Sequence, residues 1–547
     1  MTKKKLNEYT WTMEGSDTRN TIASTHDNRM NMRDLLNTTG NGFCLAKWTQ
    51  VTMHLGNGLT HSCHHPGAHS IPLDELKENP GALHNTNFKK ERRKEMLRGE
   101  RPSECDFCWR IEDRGEISDR TIKSMAPFSA PHHDKIQELD GDEDVFPTYV
   151  EVSFGRTCNF ACTYCGPPFS SMWEQEIKKD GPYDVFGFKY NEIRDHEKHI
   201  PNREHNPYIE AFWKWFPEAY KHMHTFRITG GEPLMMKDTF KVMDFLIENP
   251  NPNLHFAINS NACPPGDLWD KFLEKVEKLV DPDRPCVYKF ELYTSAEATG
   301  ERCEFIRDGM NWDLFVKNIE RYLTETRGGK LVFMCTYNIL SASTFKNLLE
   351  WVWDLKQRFN RHPQTTKMEE LGYFNVPDGH MSMQDRRIWS QGTSSRVAID
   401  IPYLRNPKFL DAAILSKQML KDFVYPAVDY MYKHSGNMEW DHTINFEDHE
   451  CLKLKRNFMD AVWTVEKEDS DGMSKYEHIS HRRAEFAMYM KQYGRRRGKD
   501  FLKTFPEYKD FYELCLKEYQ KLHGAPIDDV SFNTYWTKRK EQENESK

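Results

Sequence analysis

Three cysteines stand close together in the chain, Cys158, Cys162 and Cys165, inside the stretch YVEVSFGRTCNFACTYCG at residues 149–166. The apolar, β-prone segment Tyr149–Phe154 ends just before them, so the C-x3-C-x2-C group follows a strand. A [4Fe–4S] cube has four irons, and each takes a thiolate or a substitute. Three thiolates on one short loop leave one iron without a protein ligand, and that corner can bind a small molecule. Two other readings fit the loop taken alone. A zinc ion would take a fourth ligand, which His222 or His224 could supply. Three thiols can also be buried as small apolar side chains.

A second group comprises Cys44, Cys63, Cys105 and Cys108. Cys44 and Cys63 flank Gly56, Asn57 and Gly58, which suit the turn of a hairpin. Cys105 and Cys108 would close the site from a second loop. Four thiolates satisfy four irons and leave a closed, electron-transferring cluster. They equally satisfy a tetrahedral zinc ion, and His61, His64, His65 and His69 add ligand options. The other six cysteines, Cys263, Cys286, Cys303, Cys335, Cys451 and Cys515, are scattered and read as buried apolar side chains.

The elements that must position these groups are strands alternating with helices. Strands are expected at Tyr149–Phe154, Thr225–Thr229, Leu254–Asn259, Val287–Thr294 and Leu331–Asn338, with a sixth at either Gly372–Val376 or Val397–Ile401. Helices at 311–324 and 344–357 each place five apolar residues on one face. Such repetition means parallel strands with right-handed crossovers, and six units make a partial barrel, short of a closed eight. One helix is expected in FKKERRKEMLRGE, ending near Gly99. Residues 121–146, with Pro127, Pro131 and an acidic run, read as a linker. Beyond residue 405 the chain is charged and helix-prone, and FLKTFPEYKDFYELC has a helix–Pro–helix pattern. Arg495–Arg497 reads as a solvated helix end, with a phosphate contact as the alternative.

Composition narrows the classes. The 547 residues suffice for more than one core. The net charge of −8 calls for neither nucleic acid nor an anionic membrane. No apolar run approaches the roughly 20 residues that span a bilayer. The charged N-terminus lacks an apolar signal segment, so the expected location is cytoplasmic, where an odd count of 13 cysteines argues against a disulfide framework.

Taken together, these features resemble the radical S-adenosylmethionine (SAM) superfamily, whose loop is C-x3-C-x-aromatic-C. Tyr164 is the aromatic here, and the resemblance puts it near the adenine of SAM. The family's Gly-Gly-Glu-Pro turn matches Gly230, Gly231, Glu232 and Pro233, directly after the second strand. Backbone carbonyls and the Glu carboxylate would there accept hydrogen bonds from the SAM ammonium. Ser260 and Asn261 match the polar pair after the third strand. The segment SAEATGERCEFIRDG is similar to the family's Ser-Ile-Asp-Gly followed by Tyr-Ile-Arg. It aligns Ser295 as a ribose or carboxylate contact and Arg307 as the partner of the SAM carboxylate. Glu297 stands where the family has Asp, and Asn338 is a further SAM-site candidate.

The N-terminal cysteines are similar to the twitch module, a shortened SPASM domain that holds an auxiliary iron–sulfur cluster, although that module ordinarily follows the barrel. The resemblance thus implies an α/β chain in three parts. A small Cys-rich auxiliary-cluster domain covers 1–130, a partial (β/α)6 radical SAM barrel covers 145–405, and a helical C-terminal region covers 406–547. It also implies a SAM-binding [4Fe–4S] cluster, SAM and a second [4Fe–4S] cluster. The implied activity is reductive cleavage of SAM to a 5′-deoxyadenosyl radical, which takes hydrogen from a peptide or protein side chain. The expected partner is a low-potential electron donor such as flavodoxin or ferredoxin, with no nucleic acid and no membrane. The alternative is a catalytically silent, zinc-stabilised binding or scaffold protein on the same barrel.

Overall fold

Between residues 149 and 400 short apolar strands alternate with amphipathic helices. The computed structural model of the chain describes residues 3–13, 22–185, 188–194, 198–201, 204–281, 283–359, 396–404, 406–435, 445–468 and 479–527. Its main sheet has nine strands: β1 Gln50–His54, β2 Leu59–His61, β3 His69–Ser70, β4 Tyr149–Ser153, β5 Thr225–Thr229, β6 Asn251–Asn259, β7 Val287–Thr294, β8 Lys330–Met334 and β9 Val397–Asp400. Their order across the sheet is β9-β8-β7-β6-β5-β4-β1-β2-β3. All neighbours from β1 through β4 to β9 are parallel, and only the β1–β2–β3 meander is antiparallel. The fold is therefore α/β with a mostly parallel sheet.

Alternation along each strand sorts the side chains. Val150, Val152, Phe226, Ile228, Phe256 and Ile258 are fully buried on the face covered by helices Pro207–Ala219, Lys237–Glu248 and Leu268–Leu279. In the last of these, Trp269, Phe272, Leu273, Val276 and Leu279 point inward, each contributing about 1.5–3 kcal/mol relative to exposure. The opposite face is polar, with Glu151, Arg227, Asn259 and Tyr293 on four successive strands. Arg227 Nη2 lies 3.4 Å from Met334 Sδ. Their strands β5 and β8 are three spacings apart, roughly 14 Å in a flat sheet, so the sheet curls with this polar face concave.

Several expectations shift. The fifth strand stops at Met334 rather than Asn338, because Asn338 caps the short helix Ile339–Ala342. The sixth strand is Val397–Asp400, while the alternative at 372–376 lies outside the described residues. The segment read as a linker contains most of helix Asp119–Met125 and all of His133–Ile136, and packs Met125, Ala130 and Ile136 into a second core with Met32, Leu35 and Trp48. The N-terminal segment also joins the main sheet, with β1 pairing in register along the whole of β4 from Gln50↔Tyr149 to His54↔Ser153. Past residue 405 the described elements are helices, including Lys417–Lys433, Ile479–Arg497 and Lys509–His523. Among the described residues no helix is long and apolar enough to cross a membrane.

A fragment spanning 145–547 would lack β1 and present β4 as a bare sheet edge, a template for aggregation. Such a fragment is expected to elute in the void volume of a sizing column while the full chain does not. A monodisperse, cooperatively unfolding fragment would show that the β1–β4 pairing is dispensable.

Candidate functional site

The three-cysteine loop leaves β4 at Ser153 and has little regular structure, so its neighbours fix its shape. The Gly-Gly-Glu-Pro turn supports one side: Gly231 N donates to Gly155 O at 3.2 Å and Glu232 N to Thr157 O at 2.7 Å. Both glycines are required by this contact. Gly230 sits at φ +128°, and a Cβ on Gly231 would fall 2.5 Å from the carbonyl oxygens of Arg156 and Thr157. A second support is a two-residue antiparallel ladder pairing Arg307 with Cys162 and Asp308 with Ala161. Ser171 brackets Cys158, its Oγ accepting from Cys158 N and donating to Cys158 O. Trp173 Nε1 donates to Cys162 O at 2.9 Å, and Asn191 Nδ2 to Cys165 O at 2.9 Å.

The C-terminal helix Ile479–Arg497 closes the loop from outside. Tyr489 OH donates to Thr163 O and Tyr493 OH to Phe305 O, each at 2.7 Å. Arg497 pairs with Glu176 and with Asp308, the ladder residue beside Arg307. Arg496 lies 4.0 Å over the Tyr183 ring and donates to Gly181 O. These two arginines are thus engaged within the fold and do not form the expected solvated helix end. Sequence reasoning also passed over Asn159, between the first two cysteines, whose Nδ2 donates to Cys263 O and whose Oδ1 accepts from Asn261 Nδ2.

Cys162 is buried, and Cys158 and Cys165 are half-buried. Burial pushes the Cys158 thiol up to about 12, and the charge of a Cys162 thiolate adds to the shift. Burial also raises Cys165, helped by Cys162 and Cys158. It raises Cys162, against the pull of Arg307. Thiols that oppose one another's ionisation in this way become thiolates together only when cationic charge sits among them, as iron would supply. This donor set fits a cluster. His222 and His224, considered as a fourth zinc ligand, precede Thr225 at the far end of β5, where His222 stacks on Phe146 at 4.7 Å.

Arg307 forms a bidentate pair with Glu297, both contacts at 2.8 Å. Tyr164 OH donates to the same carboxylate at 2.7 Å. Burial works against the charge on Arg307, but Glu297 outweighs it and holds the guanidinium well above its ordinary range. A remaining donor, Nη1, lies 3.6 Å from Cys162 Sγ. Glu297 thus gives Arg307 a carboxylate partner within the chain, and Tyr164 is tied into the same pair.

Glu232 is fully buried. Its Oε1 accepts from Leu234 N at 3.0 Å and Ser260 Oγ at 2.8 Å, and its Oε2 from Asn261 N at 2.6 Å. It therefore joins the ends of β5 and β6, with Pro233 buried beside it. Ser295 is half-buried one residue past β7. Asn338 spends its amide locally, donating to Thr336 O and accepting from Leu340 N. The cysteine loop, Gly230–Pro233, Ser260, Asn261, Glu297 and Arg307 therefore form one bonded group, which Asn338 does not join.

Cys44, Cys63, Cys105 and Cys108 line one pocket with Trp109, Asp119 and Arg120. Burial pushes the Cys44 thiol up to about 12, and the other three thiols add to it. Arg120 donates to Phe43 O and pairs with Glu112, fixing the pocket wall. Cys44 lies before β1 and Cys63 just past the antiparallel β2, so the pocket sits at the start of β1, opposite the end where Cys158 follows β4. Among the described residues, three or more candidate donor atoms lie mutually within 4.8 Å only at His64, His65 and Asp119. Neither cysteine group is drawn in that far. Tetrahedral zinc, with Zn–S about 2.3 Å, needs thiolates roughly 3.8 Å apart.

Burial raises the Glu232 carboxyl to about 7, against three hydrogen bonds that lower it. Below about pH 4.5 the group is protonated both folded and unfolded, and its full contribution to stability is present. That contribution is lost as pH rises through 7. In urea unfolding of cluster-free protein, the stability advantage of wild type over Glu232→Gln is expected to fall by on the order of 3 kcal/mol between about pH 4.5 and about pH 7.5. A pH-independent difference would mean that the carboxylate enters the fold already ionised.

No curated protein and no solved structure matches the chain. The model of one family, the Radical SAM superfamily, matches residues 152–352, a span that begins inside β4 and contains the cysteine loop, the Gly-Gly-Glu-Pro turn and Arg307. Residues 152–352 are a radical SAM superfamily domain.

Proposed function

We propose that the chain is a radical SAM enzyme that binds a [4Fe–4S] cluster through Cys158, Cys162 and Cys165 and modifies a peptide or protein side chain. The domain implies an enzyme working by a radical mechanism. The observation that carries the assignment of residues is the caged loop itself, where Cys158, Cys162 and Cys165 lie close enough to oppose one another's ionisation and are held by Arg307, Ser171 and Trp173. When bound, the cluster would pass an electron to SAM and cleave it to a 5′-deoxyadenosyl radical that takes hydrogen from the substrate.

The chain's own residues orient and enclose. Arg307 holds Cys162 by backbone pairing and by its guanidinium, with Glu297 and Tyr164 fixing that guanidinium. Glu232, Ser260 and Asn261 brace the loop ends where the amino group of SAM would lie. Tyr489 and Arg497 shield the loop's outer side from water. The curl of the sheet supports a partial barrel, and its concave polar face, with Glu151, Arg227 and Tyr293, suits a hydrogen-bonding substrate. The four N-terminal thiols are read as the site of a second cluster, supported by their convergence in one pocket. The proposed electron donor is a flavodoxin or ferredoxin.

Protein reconstituted anaerobically with iron and sulfide, then given dithionite and SAM, is expected to form 5′-deoxyadenosine. Cys162→Ala should lose that product entirely, whereas Cys105→Ala should retain part of it, and each variant should lose about four irons. A fully iron-loaded wild type that yields no 5′-deoxyadenosine would overturn the proposal.

A further inference from the structure

Two histidines directly follow Cys63. In a strand such neighbours would point to opposite faces, but β2 has ended at His61 and the chain bends through residues 62–66. The His64 and His65 rings consequently fall on the same side, with centroids 4.2 Å apart. Facing them is Asp119, the first residue of helix Asp119–Met125, set in place by the N-cap Ser118. One oxygen of Asp119, Oδ2, lies 2.7 Å from His65 Nε2 and 3.5 Å from His64 Nε2. The shorter contact is a hydrogen bond. The longer one is too long to be a good one, yet it aims a second imidazole nitrogen at the same point. The His65 ring is held in plane by stacking on Phe107, 3.9 Å away at 12°.

We infer that His64, His65 and Asp119 form a mononuclear site for a divalent transition metal, separate from both cysteine groups. Metal–nitrogen and metal–oxygen bonds of about 2.0–2.2 Å place neighbouring ligand atoms roughly 2.9–3.4 Å apart, and the two observed separations bracket that range. Two imidazoles and one carboxylate select a borderline ion such as Zn²⁺ over Ca²⁺ or Mg²⁺, which take oxygen ligands. The His64 side chain is 61% exposed and that of Asp119 34%, so the remaining coordination positions face water and the ion exchanges with solvent. The site also adjoins the four-thiol pocket, which His65 and Asp119 help to line. The His65 amide hydrogen-bonds to Cys63 and the Arg120 amide to Cys108. A metal clamping His65 to Asp119 would stiffen the two chain segments that present those thiols. The site itself does not depend on what the thiols hold.

The test uses full-length protein loaded anaerobically with iron and sulfide, titrated with Zn²⁺ by calorimetry and checked by metal analysis. The expected result is about one zinc per chain beyond the iron, bound at least about tenfold more weakly by His64→Ala and by Asp119→Asn, with iron content unchanged. His64 is exposed, so its replacement leaves the fold intact, and iron content reports this directly. Should unfilled thiols take zinc themselves, wild type shows a second, tighter equivalent, and His64→Ala removes only the weaker one. Absence of the extra equivalent in wild type, or its retention at full affinity in His64→Ala, overturns the inference.

Discussion

Arg307 and Glu297 face each other with side chains 7% and 0% exposed, and the three-cysteine loop hangs on that pair. Removing two charges from water costs several kcal/mol per ion, and only good geometry with further hydrogen bonds recovers it. Here the geometry is bidentate, and Tyr164 takes one of the remaining positions on the carboxylate. Losing one partner of such a pair costs about 3–5 kcal/mol, because the other is left buried and uncompensated. The consequence is local, since the backbone of Arg307 is also the ladder partner of Cys162. One residue therefore fixes the middle cysteine twice, by main chain and by side chain. Tyr164, which interrupts the last two cysteines, is fixed by the same carboxylate.

The cage extends outward by the same logic. Asp308, next in the ladder, takes Arg497 and Lys499 from the C-terminal region, so residues more than 180 positions away are coupled to the loop through one carboxylate. Buried ion pairs need their partners in place, whereas surface pairs contribute little. The side chain of Arg497 is 5% exposed, which puts its pairing in the first class. The helical C-terminal region is thus part of the loop's support, although its own sequence carries no motif.

What could be read from the sequence follows from how local each feature is. Strands β5 and β7 were legible to the residue because apolar, β-branched runs are bounded by turn residues. The fifth strand of the repeat was read four residues too long, since the capping of Ile339–Ala342 by Asn338 depends on a side chain's orientation. The spacing of cysteines and the Gly-Gly-Glu-Pro turn located the site. The partners of those residues were not legible. The Gly-Gly-Glu-Pro turn was matched to the SAM ammonium, and the backbone its two glycines admit most closely is that of residues 155–157. The pairing of Arg307 with Glu297, ten residues earlier, was not anticipated. Pairing of β1 with β4 links residues about a hundred positions apart, and no local pattern announces a parallel pair of that kind.

That last pairing constrains how the two cysteine groups can relate. They lie at opposite ends of the β1–β4 pair, one before β1 begins and one after β4 ends. Five paired residues span about 13 Å, and both groups lie beyond that span. The chain segments that carry the two groups are therefore separated by the length of the β1–β4 pair. The polar face offers a bonded route for part of the way: His61 bonds to the Cys63 carbonyl and to His54, and His54 feels the charge of Glu151, which bonds to Thr229. Under the proposed reading, a centre on the four N-terminal thiols would act through the scaffold that carries the three-cysteine loop, by holding β1 against β4 or by relaying electrons from the surface.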